Sequence, residues 1–372
     1  FYEEKIVSYS VVRAHWTDLG GKDPGYILDS TSVHHEGIMI PGVKIVRKGE
    51  INEELLSILQ TNSRAPETIM GDFHAEVACL RVGVERVSDL YQKYGSDTLE
   101  ASIEGILSAG EQQARNAVLA LPDGQWEAED WMDNDGISDE LVRVHVCITI
   151  KGDVMTIDYS GSSDQVDGPI NLSFGMAQSA ARICFKAITT PHDPSNGGQF
   201  RPLSVIAREG SLFNASYPAP VFTIWAGVMG VETIFKAFAN AFPELIPAGS
   251  GGDLGDPGFY GKEPVSGRQV WHQTNAGVGW GARHDQDGLN TTQHISMCTV
   301  KNIPVEVIES RLPVIVDRAQ FRQDSGGPGK FRGGLGSVRD YRFLEPFGAL
   351  TIVKNLEPLA TDYLVAILVP EI

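Results

Sequence analysis

A chain of 372 residues with 42% apolar and 21% charged side chains has a globular composition, long enough for one large α/β domain or two ordinary ones. Lys and Arg number 30 against 48 Asp and Glu, and the formal net charge of −18 excludes nucleic acid and anionic membrane surfaces as partners. Forty glycines and twenty prolines point to loops and tight turns rather than a helical bundle.

In chain order, KIVSYSVV (5–12) alternates Ile6, Ser8 and Ser10 against Val7, Tyr9 and Val11, which predicts a half-buried strand running toward His15. LGGKDPG follows with the turn chemistry of Gly20, Gly21, Pro24 and Gly25. From Asp72 the spacing of Leu80, Val84, Val87 and Tyr91 predicts an amphipathic helix closed by Gly95. Asp97 with Glu100 reads as a capping box for a second helix, with Leu99, Ile103, Ile106, Ala114 and Val118 on its apolar face. The two together read as a helical hairpin.

VRVHVCITI and VMTIDYSG flank Lys151-Gly152-Asp153 as a β-hairpin. Helices are expected from near Gly175, carrying Ala177, Ala180, Ala181 and Cys184, and from Glu232 to Phe242, carrying Ile234, Phe235 and Phe238. GSGGDLGDPG (249–258) reads as loop, whereas VKNIPVEVIESRLPVIVD and GSVRDYRFL read as strands. No repeat recurs at a fixed period. Helical text gives way to strands between residues 125 and 140. The expected class is therefore α/β, a mixed α+β chain with a glycine-rich mixed sheet, divided into residues 1–135 and 136–372.

Cys79, Cys147, Cys184 and Cys298 stand far apart without CxxC spacing, which argues against a disulfide framework or structural zinc and suits a reducing cytoplasm. FYEEKIVSYS has neither a basic n-region nor an apolar h-region, so a chain opening at Phe1 reads as a fragment. The closing run TDYLVAILVPEI has too few apolar residues to span a bilayer.

Chemistry concentrates in four places. In VRAHWTDLGG, His15 and Asp18 sit three apart at the expected strand end, and imidazole with carboxylate suits Mn, Fe or Zn if further ligands join them. A histidine satisfied by a backbone carbonyl and an aspartate capping the turn fit the same text. His34, His35 and Glu36 form a second cluster; neighbours on extended chain face opposite sides, so one of the two histidines at most shares a site with His15. WHQTNAGVGWGARHDQDGLNTTQH gathers His272, His284 and His294 with Asp285 and Asp287, in no nameable metal spacing. GGPGKFRGGLG (326–336) is not a phosphate loop, because Phe331 follows Lys330 where Ser or Thr must hold Mg²⁺. It reads as a glycine-rich turn between strands.

Several stretches, taken in order, resemble the hydantoinase B/oxoprolinase family. They are VRAHWTDLGG, TSVHHEGIMIPGVKIVRKGEINEELL, NSRAPETIMGDFHAEVACLRVGVERV, DYSGSSDQVDGPIN, FRPLSVIAREGSLFNASYPAPV, NIPVEVIESRLPV and DSGGPGKFRGGLGSVRDYRF. The resemblance runs from about residue 5 to residue 343. It implies one component of a cytoplasmic hetero-oligomer whose partner, similar to hydantoinase A, binds ATP and phosphorylates a small carbonyl substrate. The expected activity is ATP-dependent hydrolysis of a cyclic amide (hydantoin, 5-oxoproline or another lactam). An ATP-dependent carboxylase of a ketone is the alternative, and a non-catalytic scaffold is the third. His15 matches the family's metal-binding histidine and Asp18 the acidic position of the same motif, so a divalent metal (Mn, Zn or Fe) is expected there. The resemblance puts the remaining ligands in an upstream segment, an aspartate and a GTHxPD-like stretch, ahead of Phe1. It singles out no further catalytic residue.

Overall fold

The computed structural model describes residues 1–352 apart from 24, 251–254, 265, 274–276 and 298–299. Cys298, part of the 249–258 glycine stretch and the closing run at 361–372 lie outside the described residues.

The chain opens with extended loops and a 3₁₀ turn at Val33–His35. A short hairpin of β1 (Val46–Arg47) and β2 (Glu50–Ile51) leads into α1 (Glu53–Asn62), α2 (Pro66–Tyr94) and α3 (Ser96–Leu119). Next come β3 (Gly124–Met132), β4 (Val142–Lys151), β5 (Val154–Asp158), α4 (Phe174–Thr189), β6 (Leu203–Ile206) and α5 (Trp225–Ala239). The last part holds β7 (Asp256–Lys262), β8 (Gln269–Gln273), α6 (Val305–Arg311), β9 (Val314–Phe321), β10 (Ser337–Phe343) and β11 (Gly348–Ile352).

The central sheet runs β3-β4-β5-β6, antiparallel except for the parallel β5/β6 pair. Strict alternation makes one face of β4 apolar: Val142, Val144, Val146, Ile148 and Ile150 are all at most 3% exposed. That face meets α5, which is buried on nearly every side because it lies between the sheet and α4. The 135/136 division falls between β3 and β4, which pair along their whole length, and Ala114, Val118 and Met132 share a core with residues 142–246. A smaller cluster of Leu56, Leu59, Ile69 and Phe73 joins α1 to α2, with Trp16 packed against it.

Several sequence expectations hold in detail. The β4/β5 hairpin turns at Gly152 (φ +60°) and Asp153, and α4 buries Ala177, Ala180, Ala181 and Cys184. Others are corrected. Residues 6–16 form no strand: Ile6, Tyr9 and Val11 are 54%, 81% and 85% exposed, and the segment runs beside α2, where Ser10 meets Gly83. Alternation makes a strand only where a neighbouring edge accepts its hydrogen bonds. Helix α2 starts at Pro66, earlier than Asp72, and leaves Val84 exposed. In α3 the capping position is Gly95, Ser96 rather than Asp97 hydrogen-bonds Glu100 (2.9 Å), and Ile103 and Ile106 lie exposed.

The two long helices meet at Gly95 but bury their faces differently. Ile69 and Phe73 of α2 go to the α1 cluster, and Ala114 and Val118 of α3 go to the central core. Helix α5 begins at Trp225, well before Glu232, and Asp256–Gly258 belong to β7 instead of a loop. Residues 305–311 are helix rather than strand: Val305, Ile308 and Leu312 recur every three to four positions, and Ile308 and Leu312 are buried. Among the described residues no helix is long and apolar enough to cross a membrane.

Candidate active site

Three loop segments and one arginine come together in front of the core. Lys22 N–H donates to His35 O (2.9 Å) and Ile38 N–H to Leu19 O (2.9 Å), which ties the TDLGG turn to the HHEGI stretch. Val33 N–H donates to Pro218 O (3.0 Å), joining both to the 217–222 turn, itself entered by a cis Tyr217–Pro218 bond. Gly20 (φ +76°) sits so close to Asn62 O that any side chain would collide.

His15 is exposed on extended chain and makes no hydrogen bond among the described residues, so its imidazole is open to an external ligand. Asp18, three residues on, is buried and fully engaged. Its Oδ1 accepts from Gly20 N–H (3.0 Å) and Arg64 Nη2 (2.8 Å), and its Oδ2 accepts from Arg64 N–H (2.7 Å) and Nε (2.8 Å). Arg64 Nη2 also donates to the carbonyls of Gly21 (2.9 Å) and Asp23 (3.0 Å). Burial pushes the Asp18 carboxyl up, but the Arg64 fork, the two backbone N–H groups and the guanidinium charge outweigh it and hold it below its ordinary value. With four donors on two oxygens, Asp18 fixes the loop that follows His15 and also caps the turn at Gly20. Arg64 carried no signal in the sequence, because a partner 46 residues away leaves no spacing pattern.

The two neighbouring histidines part company. His34 Nε2 lies 2.7 Å from Tyr217 Oη, whereas His35 Nδ1 accepts from Thr31 N–H (3.4 Å). Glu36 reaches the 217–222 turn, where Val221 and Phe222 donate their N–H groups to its Oε1.

The histidines of residues 272–294 are not gathered. His272, on β8, is half-buried, and burial together with the charges of Arg339 and Arg311 lowers its pKa. His284 is exposed beside Asp285. His294 is fully buried: its Nε2 lies 2.8 Å from Glu232 Oε1 and its Nδ1 2.8 Å from Ser296 Oγ. Ser250 donates both N–H (3.1 Å) and Oγ–H to the same Glu232 oxygen. Burial raises the Glu232 pKa, but His294 and Ser250 outweigh it, and the net shift is downward. This network bonds α5 to the glycine-rich text.

The GGPGKFRGGLG turn does join β9 to β10, and the N–H groups of its second half, residues 332–336, are bonded inside the protein. Gly334 N–H donates to Trp280 O (2.7 Å), Gly333 to Gly327 O (2.9 Å) and Arg332 to Asp287 Oδ1 (2.7 Å). Among the described residues no group of three or more His, Cys, Asp or Glu stands close enough to hold a metal ion. The described residues thus fit one ligand position, His15, and not a whole coordination shell.

Residues 1–358 match the family model for Hydantoinase B/oxoprolinase. The chain belongs to this family. It is 33% identical over 92% of its length to a protein of Pseudomonas sp. (strain NS671) provisionally named as the B component of a D-/L-hydantoinase, and 28% identical over 95% to the beta chain of caprolactamase from Pseudomonas jessenii. It spans about 60% of the length of these relatives, 60% and 61% respectively. The crystal structure of the ATP-dependent caprolactamase from Pseudomonas jessenii superposes on 91% of the chain with a TM-score of 0.82 at 28% identity, the chain covering 59% of it. Acetone carboxylase shares the fold, with a TM-score of 0.78 at 19% identity over 87% of the chain and 46% of its own.

Proposed function

We propose that this chain is the B-type component of an ATP-dependent hetero-oligomeric enzyme that hydrolyses a cyclic amide: a hydantoin, 5-oxoproline or a lactam. The observation that carries the reading is the family match along nearly the whole chain, joined to relatives named as components of a hydantoinase and a caprolactamase. ATP is bound by a partner similar to hydantoinase A, in keeping with a glycine loop here in which Phe331 stands after Lys330 where a phosphate loop needs Ser or Thr. The partner phosphorylates the carbonyl oxygen. That turns a resonance-stabilised amide into an electrophile that water attacks at neutral pH, because the phosphorylated oxygen can no longer take up the nitrogen's electron density and the carbon is left electron-poor.

A divalent metal (Mn, Zn or Fe) at His15 belongs to the same proposal, with Asp18 acting through the loop it braces. In the assembled complex, His15→Ala is expected to lose bound metal, read by elemental analysis, and at least 100-fold in turnover. Full metal content and activity in that variant would make the histidine an ordinary surface residue.

The assembled complex, given ATP and a panel of hydantoin, 5-oxoproline and caprolactam, is expected to release ADP and the ring-opened acid together. Labelled bicarbonate fixed into a ketone, with no ring opening, favours the carboxylase, which for now rests on fold similarity alone. A complex that turns over neither class is a scaffold.

A further inference from the structure

The two oxygens of Glu36 live in different surroundings. Oε1 accepts three hydrogen bonds, from Ser30 Oγ (3.0 Å), Val221 N–H (2.9 Å) and Phe222 N–H (3.1 Å). Oε2 accepts none among the described residues, on a side chain that is only partly buried. The chain on either side of Glu36 is hydrogen-bonded to the Asp18–Lys22 loop that follows His15, through His35 O and Ile38 N–H. The open oxygen therefore belongs to the same loop layer as His15.

We propose that Glu36 is the proton-carrying residue of the ring-opening step, a role resting on the function proposed above. The geometry suits it because Oε1 can accept its three bonds whether the carboxyl is charged or neutral. The proton comes and goes at Oε2 alone, and the side chain stays fixed through both states. Burial raises the Glu36 pKa above its ordinary value, and the three hydrogen bonds only partly offset this. No charged group on the packed elements enters that balance, neither Asp18 and Arg64, nor the Lys22–Asp29 pair, nor the flanking His34 and His35.

The step balances. Water attacks the carbon of the O-phosphorylated amide, and a C–O bond forms while the Glu36 carboxylate takes a proton from that water. The C=N π electrons return to nitrogen. Glu36 then delivers its proton to the ring nitrogen, which still carries its own hydrogen. As the C–N bond breaks, the O–H electrons of the new hydroxyl form the acyl C=O and its proton goes to solvent, so the amine leaves neutral and an acyl phosphate remains. A second water hydrolyses the acyl phosphate to carboxylate and inorganic phosphate, which accounts for one ATP and two waters per ring opened.

Glu36→Gln separates this role from simple bracing, because glutamine keeps a carbonyl for the three donors but cannot exchange protons at the other position. In the assembled complex with ATP and the lactam that wild type opens, Glu36→Gln is expected to lower kcat for ring opening about 100-fold. KM should stay near wild type, the melting temperature at acid pH, where the wild-type carboxyl is protonated, should match wild type, and one limb of the pH–rate profile should disappear. Glu36→Ala, which also loses the brace, should melt lower. A Glu36→Gln complex with wild-type kcat and pH profile overturns the proposal and leaves Glu36 as a brace only. A wild-type complex that opens no cyclic amide overturns the function proposed above and this step with it.

Discussion

The loop layer of residues 13–38 and the sheet–helix core of residues 124–239 bury their groups by opposite means. In the core, apolar side chains of β4 and α5 stack at the regular intervals of strand and helix, and the backbone satisfies itself within those elements. In the loop layer Ile27 is buried too, but the contacts that tie the layer together are made by polar groups. Asp18 finds Arg64 46 residues away, and Glu36 finds Val221 185 residues away. Apolar burial is forgiving, because any partner of about the right size serves. A buried carboxylate is unforgiving, because a missing donor leaves its desolvation uncompensated. The comparison teaches that the stable part of this molecule and its chemically selective part are separate constructions, joined at the 217–222 turn.

The largest effect should come from the core. Phe238 is fully buried against Trp126 and Phe242, with ring centroids 5.5 Å and 5.3 Å away, so Phe238→Ala should cost about 3–5 kcal/mol. Chemical denaturation followed by tryptophan fluorescence measures it. A loss under about 1 kcal/mol would show that the core collapses around the cavity.

Arg64→Met tests the loop layer. It removes the fork but leaves two backbone donors on Asp18, so the expected loss is about 2–3 kcal/mol. Arg64→Lys should recover little, since an ammonium cannot span both carboxylate oxygens while also reaching the Gly21 and Asp23 carbonyls. Proteolysis should cut first within residues 15–25 if the loss is local. Uniform cleavage would instead mean that layer and core unfold as one.

The smallest effect is the pH dependence, and its sign differs among the buried carboxyls. Asp18 and Glu232 have lowered folded values, so their stabilisation is complete above their unfolded values and is lost as pH falls through the folded ones, below the ordinary carboxylate range. Glu36 has a raised folded value, so its contribution is complete below its unfolded value and is lost as pH rises through the folded one. Melting curves from acid to neutral should show Arg64→Met flattening the acid limb and Glu36→Gln removing a small decline toward neutral. Parallel curves for all three proteins would mean that these carboxyls keep their unfolded values.

Much of the core was legible in the text. Val142 to Ile150 alternate and Ala177, Ala180, Ala181 and Cys184 keep helical spacing, because a side chain that faces a core must recur with the period of its own element. The same signal misled at residues 5–12, where alternation met no strand edge, and at 305–311, where a short apolar run fits either period. Of the candidate site, the sequence singled out His15 and Asp18 by residue type and by resemblance and noted Glu36 only as a neighbour of His34 and His35, and it could attach no partner to any of them.

What the sequence determined by itself is therefore the family, the acidic surface and the periodic elements, all properties of residues near one another along the chain. What only the tertiary structure decided is the state of each carboxyl: Asp18 saturated by Arg64, Glu232 joined to buried His294, and Glu36 held by one oxygen with the other left open. The reason is physical. A carboxylate's chemistry depends on how many donors reach it and how much water is excluded, and here those donors arrive from chain segments 46, 62 and 185 residues away.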